Sequence, residues 1–442
     1  SSVRRRDGGE FRVIHLRVPG DKSVAHRFLI LAALAEGEST LSGVPASLDL
    51  ASTIGCLREL GAEVEDLGGG KFRVTGPAAW QSPRGPLDCG NSGTTARLLT
   101  GLIAGLGIEA ELSGDPSLSL RPMDRVVYPL QAMGARISYV ERADRLPVRV
   151  EGRASGGLRK LRYRPRVSSA QVRAALLLAA LAGRTDLEIL DRLRPRDHTE
   201  RILRAMGAPV TSEPRESGEK VGFRGGTWNR ELSPIDAAVP GDLSSAAFLV
   251  VAGLLTGRRV SIEGVGVNAT RTGFLRVLAE MGARVDLEET GTEAGEPVGD
   301  LMVTARSLRP FAVDESLVPQ LIDEVPALVA LASRVEGVSV IRGASELRVK
   351  ESDRLAMLVS NLRTLGVRCE ELSDGLRVHG TLAPLRGIVR TGGDHRIAMA
   401  FGALGVGPGC SVTVDDAQCV DVSFPGFWDA LTEVDSGEGV QQ

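Results

Sequence analysis

Val18-Pro19-Gly20-Asp21-Lys22-Ser23 returns 221 residues later as Val239-Pro240-Gly241-Asp242-Leu243-Ser244, and each copy runs into an apolar stretch, 28–35 in the first case and 246–255 in the second. The pair divides the chain into two alike halves that meet near 19–21 and 238–241. A finer period lies around it. Residues 57–64 read LRELGAEV, 130–137 LQAMGARI, 202–209 ILRAMGAP, 277–285 VLAEMGARV and 362–369 LRTLGVRC, with the shared glycine at 61, 134, 207, 282 and 366. Each copy is an apolar helix end, a Gly just past it and a strand start. A sixth, degenerate helix runs over 425–434. Units of about 70 residues are too long for a solenoid, so the pattern predicts an α/β protein built from a duplicated three-unit module. The halves become a domain over 20–239 and a second over 240–442 that also takes the N-terminal strand in 1–19. Ligands are expected in the cleft between them.

Composition narrows the function. With 442 residues, 43% of them hydrophobic, the chain can bury a sizeable core in each half. A net charge of −3 offers neither a basic nucleic-acid surface nor an acidic tail. Apolar runs such as 174–182 and 246–255 fall far short of the roughly 18 residues of a membrane span. No nucleic acid and no membrane partner is expected, and a soluble, cytoplasmic protein is. Residues 1–9, with Arg4-Arg5-Arg6 and no apolar core behind, read as a loose tail and not as a secretory signal. The five cysteines show no C-x-x-C and no Cys/His cluster at metal spacing, which points to a reducing compartment and away from a structural metal. Of 53 basic residues only Lys22, Lys71, Lys160, Lys220 and Lys350 are lysines. Lys22 and Lys350 fall in motifs, where a compact ammonium of tunable pKa is not replaced by guanidinium.

Polar loops stand before the apolar runs throughout. Lys22, Ser23 and Arg27 open the first, and a helix N-terminus carrying a hydroxyl and two cations is an anion site; the alternative is that Ser23 only caps the helix. Gly90-Asn91-Ser92-Gly93-Thr94-Thr95-Ala96-Arg97 precedes 96–104. It is Gly-rich but no Walker A, because no Lys follows the second Gly, and taken alone it fits an ordinary N-cap turn better than a ligand loop. Residues 114–123, Ser168-Ser169-Ala170-Gln171 and Arg194-Pro195-Arg196-Asp197-His198-Thr199-Glu200 follow the same plan. The second half adds carboxylates in Leu321-Ile322-Asp323-Glu324-Val325-Pro326, in 346–354 and in Gly392-Gly393-Asp394-His395-Arg396. Taken singly, these fit acids serving a helix dipole, a self-pairing charge cluster and a structural histidine.

Taken in order, PGDKSVAHR, GNSGTTAR, LRPM, SSAQ, RDHTE, IDEVP, KESDR and GDHRIAM resemble the motif set of the 3-phosphoshikimate 1-carboxyvinyltransferase (EPSP synthase) family over about 18–425. The resemblance implies two similar domains, each an inside-out α/β barrel of three βαβαββ units around buried parallel helices. It implies transfer of the enolpyruvyl group of phosphoenolpyruvate to the 5-hydroxyl of shikimate 3-phosphate, with release of phosphate, no cofactor, no metal and a monomeric enzyme. By the same resemblance, Lys22, Ser23, Arg27, Ser169, Ala170, Gln171, Arg196, Asp323 and Lys350 hold shikimate 3-phosphate. Lys22, Gly93, Arg121, Gln171, Arg354 and Arg396 hold phosphoenolpyruvate. Lys22, Asp323, Lys350 and Glu351 form the catalytic set, with Asp323 the base towards the hydroxyl, Glu351 the acid at the methylene carbon and Lys350 between the substrates; His395 stands behind them. Side-chain acids do not readily protonate carbon, so Glu351 has to be kept protonated by burial and substrate charge.

Two positions set this chain apart from relatives. Val422 stands where many have a Lys before a TFP motif, so that lysine's part in holding phosphate has no counterpart here. Gly93 is kept where some herbicide-tolerant relatives carry Ala, so glyphosate is expected to compete with phosphoenolpyruvate. Two rival readings predict other features. The related UDP-N-acetylglucosamine 1-carboxyvinyltransferases have a reactive Cys where Pro116 stands, and a non-catalytic scaffold has no need of Asp323, Lys350 and Glu351 together.

Overall fold

The computed structural model describes residues 13–152 and 157–437, and the 1–9 tail lies outside them. Helices come in six pairs: α1 (Lys22–Ala32) and α2 (Leu48–Glu59), α3 (Gly93–Leu106) and α4 (Asp124–Ala132), α5 (Ala170–Ala182) and α6 (His198–Ala205), α7 (Leu243–Thr256) and α8 (Gly273–Met281), α9 (Val325–Ala332) and α10 (Arg354–Thr364), α11 (His395–Gly405) and α12 (Phe427–Ser436). The first member of each pair is the buried one. Sequences such as AQVRAALLLAALA in α5 and VPALVALA in α9 are apolar on every side and have nowhere to lie but the core. The second members of the first five pairs end at the repeated glycines. Gly61, Gly134, Gly207, Gly282 and Gly366 have φ of 104°, 95°, 92°, 101° and 80°, a left-handed conformation that closes the helix and turns the chain into the next strand.

The buried helices start earlier than their apolar stretches. α1 begins at Lys22 because the carboxylate of Asp21 accepts the Val24 N–H. Ser92, Ser169, Asp242, Asp353 and Asp394 likewise cap α3, α5, α7, α10 and α11. The caps therefore lie inside the polar motifs, and the motif residues that follow them form the first turns. Ser23 is the second residue of α1 and not its cap.

Each pair rests on a small sheet in which a parallel strand pair flanks the buried helix and an antiparallel hairpin completes the outer side. Leu87–Asp88, Ala110–Ser113, Val148–Val150 and Ile137–Tyr139 show the order. Five sheets have four strands; the sixth, Leu385–Val389 parallel to Cys410–Val414, has two among the described residues. Two sheets borrow a strand. Val13–Leu16, just before α1, pairs with Arg259–Gly266 after α7, while Asp236–Ala238, just before α7, pairs with Glu38–Ser42 after α1. The two chains cross at the duplicated motif, where Asp21 N–H donates to Pro240 O at 2.7 Å and Asp242 N–H to Pro19 O at 2.8 Å. Buried apolar side chains gather in two clusters, one from Val24 to Val239 and one of Ile14, Leu16 and the residues from Leu243 to Val434.

Close approach is built into the first cluster. A Cβ on Gly101 of α3 would sit 2.1 Å from Ala175 O of α5, and one on Gly105 2.6 Å from Ala179 O. No helix of the described residues is long and apolar enough to cross a membrane.

Candidate active site

The N-termini of α1, α3 and α5 face the turns that open α9, α10 and α11 across a cavity of about 480 Å³. α1 brings Lys22, Ser23 and Arg27; α3 brings Gly93; the turn before α4 brings Arg121; α5 and its cap bring Ser169, Ala170 and Gln171; the loop before α6 brings Arg196. From the other half come Asp323, Lys350, Glu351, His395 and Arg396. Every predicted site residue except Arg354 lines this cavity. Arg354 lies directly behind, fully buried, where Nε donates to Asp394 Oδ2 at 2.8 Å and Nη2 to Glu351 Oε2 at 2.6 Å.

Asp323 is the electrostatic centre. Its Oδ2 accepts from Arg196 Nη1 at 2.7 Å, and its Oδ1 lies 3.5 Å from Lys350 Nζ, 3.6 Å from Arg354 Nη1 and 3.9 Å from Arg396 Nε. Burial pushes this carboxyl up, but Lys350, Arg396, Arg196 and Arg354 together hold it well below the usual carboxylate range. Glu351 behaves alike: burial raises it, and the cations Arg354, Arg121 and Lys350 outweigh burial, leaving it ionised. The Lys350 ammonium is sustained most by Asp323, yet burial and the guanidinium groups of Arg354 and Arg196 bring its pKa down. A lysine so placed loses its proton more readily than one in water.

Lys22 is held on the other side of the cavity by Asp49, Nζ to Oδ2 at 2.7 Å. Arg27 is buried, its Nε donating to Thr199 Oγ1 and its Nη1 to Ser23 O, both at 2.8 Å. Gln171 accepts from Arg97 Nη1 at 2.7 Å and donates to Thr94 Oγ1 at 3.0 Å. Burial, with the neighbouring Arg125 and Arg121, pulls the Arg97 guanidinium down to about 9. A Cβ on Gly93 would stand 2.8 Å from Arg97 Nη1 and 3.7 Å from Arg121 Nη1, so a methyl there crowds Arg97 and touches Arg121. His395 is neutral, its pKa brought to about 3 by burial and by Lys22 and Arg396, and its buried Nε2 has no hydrogen-bond partner.

A second, larger cavity of about 1080 Å³ opens beyond Lys22 and Glu351. It shares Lys22, Asp49, Asn91, Glu351 and His395 with the first, and its other charged lining residues, Glu59, Asp88 and Asp115, are acidic. The smaller cavity is the cationic one of the two. Val422 faces the larger one, so no cation stands at that position.

Sequence reasoning passed over several residues that shape the site. Asp394, which anchors Arg354, and Arg97, which holds Gln171, lie inside quoted motifs and were legible there as polar groups without a task. Asp49 carried no signal beyond that of an acid in a first helical turn. Arg125 and Glu346 form a forked ion pair across the cleft, with Nη1 to Oε2 at 2.7 Å and Nη2 to Oε1 at 3.3 Å; only the fold brings them together. Among the described residues no cluster of three or more His, Cys, Asp or Glu side chains has the geometry of a metal site.

Residues 13–431 match the family model described as EPSP synthase (3-phosphoshikimate 1-carboxyvinyltransferase). The 3-phosphoshikimate 1-carboxyvinyltransferase of Thermus thermophilus is 49% identical over 421 residues, covering 94% of this chain and 95% of that one. That of Desulforudis audaxviator is 43% identical over 420 residues, covering 94% and 96%. The solved structure of EPSP synthase from Acinetobacter baumannii superposes with a TM-score of 0.81 at 34% identity, over 97% of this chain and 96% of that one.

Proposed function

The chain belongs to the EPSP synthase family, and from that premise we propose how its residues divide the family's reaction. The reaction moves the enolpyruvyl group of phosphoenolpyruvate onto the 5-hydroxyl of shikimate 3-phosphate and releases phosphate, a step on the way to the aromatic amino acids. Both substrates are phosphorylated carboxylates, and the cationic cavity with its helix N-termini answers that charge. Shikimate 3-phosphate lies on Lys22, Ser23, Arg27, Ser169, Ala170, Gln171 and Arg196, with Asp323 and Lys350 at its 5-hydroxyl. Phosphoenolpyruvate lies on Lys22, Gly93, Arg121, Gln171, Arg354 and Arg396.

Chemistry then falls to the second half. Asp323, ionised by its four cations, takes the proton of the 5-hydroxyl as the oxygen attacks C2 of phosphoenolpyruvate. Glu351 gives a proton to the methylene carbon, and the same carboxylate retrieves one when phosphate leaves the tetrahedral ketal. Glu351 is ionised in the ligand-free site. The charge of phosphoenolpyruvate on Arg354 and Arg121 weakens their hold on Glu351 and raises its pKa, so the acid is armed by the substrate it attacks. Lys350, between the substrates, offsets the charge that develops on the attacking oxygen.

The two apolar clusters support a division into a domain of 20–239 and one of 1–19 with 240–442, which close on the substrates. Five free cysteines support a reducing, cytoplasmic setting, and the enzyme works as a monomer. Glyphosate competes with phosphoenolpyruvate because Gly93 leaves room for it.

The observation that carries this reading is the convergence of Arg196, Lys350, Arg354 and Arg396 on Asp323. Its test is phosphate release from phosphoenolpyruvate with shikimate 3-phosphate or UDP-N-acetylglucosamine as acceptor. Release only with shikimate 3-phosphate is expected. Asp323→Asn and Glu351→Gln should each lower kcat by about 100-fold or more, the scale of a lost acid or base, and should do so without unfolding the protein. Release with the sugar nucleotide alone would sink the assignment.

A further inference from the structure

Arg271 lies outside the cavity, 3% exposed, just before α8. Its Nη2 reaches Asp21 Oδ2 at 3.0 Å and Asp242 Oδ1 at 2.9 Å, and its Nη1 lies 3.5 Å from Glu324 Oε1. Ser244 Oγ accepts from the same guanidinium at 3.1 Å and donates to Glu324. Asp21 and Asp242 are the caps of α1 and α7, the acids of the duplicated motif, and their backbones already cross-bond. The guanidinium therefore sits at the point where one half hands its strand to the other.

The chain positions of these partners give Arg271 a second meaning. Asp21 immediately precedes Lys22 and caps the helix that also bears Ser23 and Arg27. Glu324 immediately follows Asp323 in the same 3-10 turn, Ile322–Glu324. A planar fork bound to both is a fixed spacer between the substrate-binding side of the cleft and the catalytic carboxylate. Three carboxylates on one buried cation also make the arrangement stiff, because any of them that drifts away is left as an unpaired buried charge.

We propose that Arg271 is a positioning residue, which sets the register of Lys22 against Asp323 across the cleft by holding Asp21 and Glu324 at once. This rests on the reading that Lys22 and Asp323 act on the same pair of substrates. It also explains why the duplicated motif keeps its Asp in both copies while the Lys is found only in the first. The acids serve the joint, and only one of the two helices serves the ligand.

The experiment compares wild type, Arg271→Lys and Asp21→Asn for thermal midpoint, kcat and both KM values. Arg271→Lys keeps the charge but loses the fork; Asp21→Asn keeps a capping oxygen but loses the ionic partner. We expect kcat of shikimate 3-phosphate-dependent phosphate release to fall on the order of 100-fold in Arg271→Lys, the scale of a 1 Å misplacement of reacting groups. KM for shikimate 3-phosphate should stay within about threefold, because its other contacts come from one half. Asp21→Asn should lower kcat in the same sense with the same split. A merely structural role predicts lower midpoints with kcat per folded molecule within about twofold of wild type, and that result in both variants overturns the proposal. If Arg271→Lys does not fold, Asp21→Asn decides alone. A wild type that releases no phosphate with shikimate 3-phosphate overturns the underlying reading instead, and the proposal falls with it.

Discussion

A single missing methyl decides how much room the cavity has beside Arg97 and Arg121. Gly93 has the Arg97 and Arg121 guanidinium groups 2.8 and 3.7 Å from where its Cβ would be, so Gly93→Ala displaces the Arg97 guanidinium that holds Gln171 and sets a methyl against Arg121. We expect this change to raise both KM for phosphoenolpyruvate and the half-inhibitory glyphosate concentration, the latter by about tenfold or more, which corresponds to roughly 1.4 kcal/mol of lost binding; dose-response curves at fixed phosphoenolpyruvate would read it. An unchanged glyphosate curve would place the inhibitor elsewhere. Histidines supply a second prediction at this scale. His26 and His395 are buried and neutral, each with its pKa brought to about 3, against about 6.5 in an unfolded chain. The unfolded chain therefore binds more protons between those values, and stability is full above pH 6.5 and declines as pH falls towards 3. At pH 5 the loss is about 2 kcal/mol per histidine. Urea unfolding at pH 7 and pH 5 should show it, and His26→Gln should cut the difference to about half; a pH-independent midpoint would mean that the rings are charged or exposed. Below pH 4 the depressed carboxyls of Asp21, Asp323 and Glu351 add their own loss.

Helices are the scale at which most of the sequence reading was made. The five glycines gave the ends of the outer helices because a left-handed residue after an apolar helix leaves a local mark that needs no tertiary knowledge. The starts of the buried helices were less legible. Hydrophobicity begins at 28 or 246, whereas the helices begin at Lys22 and Leu243, since a cap acts through one side-chain oxygen and the polar first turn looks like loop. The difference, six residues in α1 and three in α7, matters to function, because it places Lys22, Ser23 and Arg27 within the helix itself, fixed on its rigid end. A cap is correspondingly costly to lose: Asp353→Ala should destabilise the protein by about 1 kcal/mol and loosen Arg354. The contact between α3 and α5 is tighter still. With Ala175 O 2.1 Å from a Cβ on Gly101, Gly101→Val has no room, and we expect a loss of 3 kcal/mol or about that, the upper end for overpacking. A thermal midpoint unchanged by that substitution would show that the two helices can part freely.

At the scale of the whole molecule, pairings between distant residues govern the structure, and these were out of reach of a linear reading. The repeat shows two halves, with the N-terminal strand assigned to the second, but nothing in 13–16 or 236–238 announces which strand each will pair with, because both are short strands that pair through backbone groups common to any sequence. Arg125 and Glu346 were invisible as partners for the same reason. Their forked pair ties the halves together beside the site with no ligand present, so Arg125→Ala should open the cleft. Small-angle scattering is expected to give a larger radius of gyration for the ligand-free variant than for wild type, and equal radii would show that the pair follows closure without favouring it. The exchanged strands bear on time as well as on shape. Val13 is synthesised 246 residues ahead of Arg259, its partner, and at roughly 5 to 20 residues per second this is a wait of about 12 to 50 s. During that interval the opposite half is assembling on the ribosome with its own borrowed strand, 236–238, still to come. The first half closes its first sheet only when 236–238 emerges at its far end, and the strand 13–16 stays without its partner until 259–266 has followed, so the N-terminus waits for a half that has yet to be made.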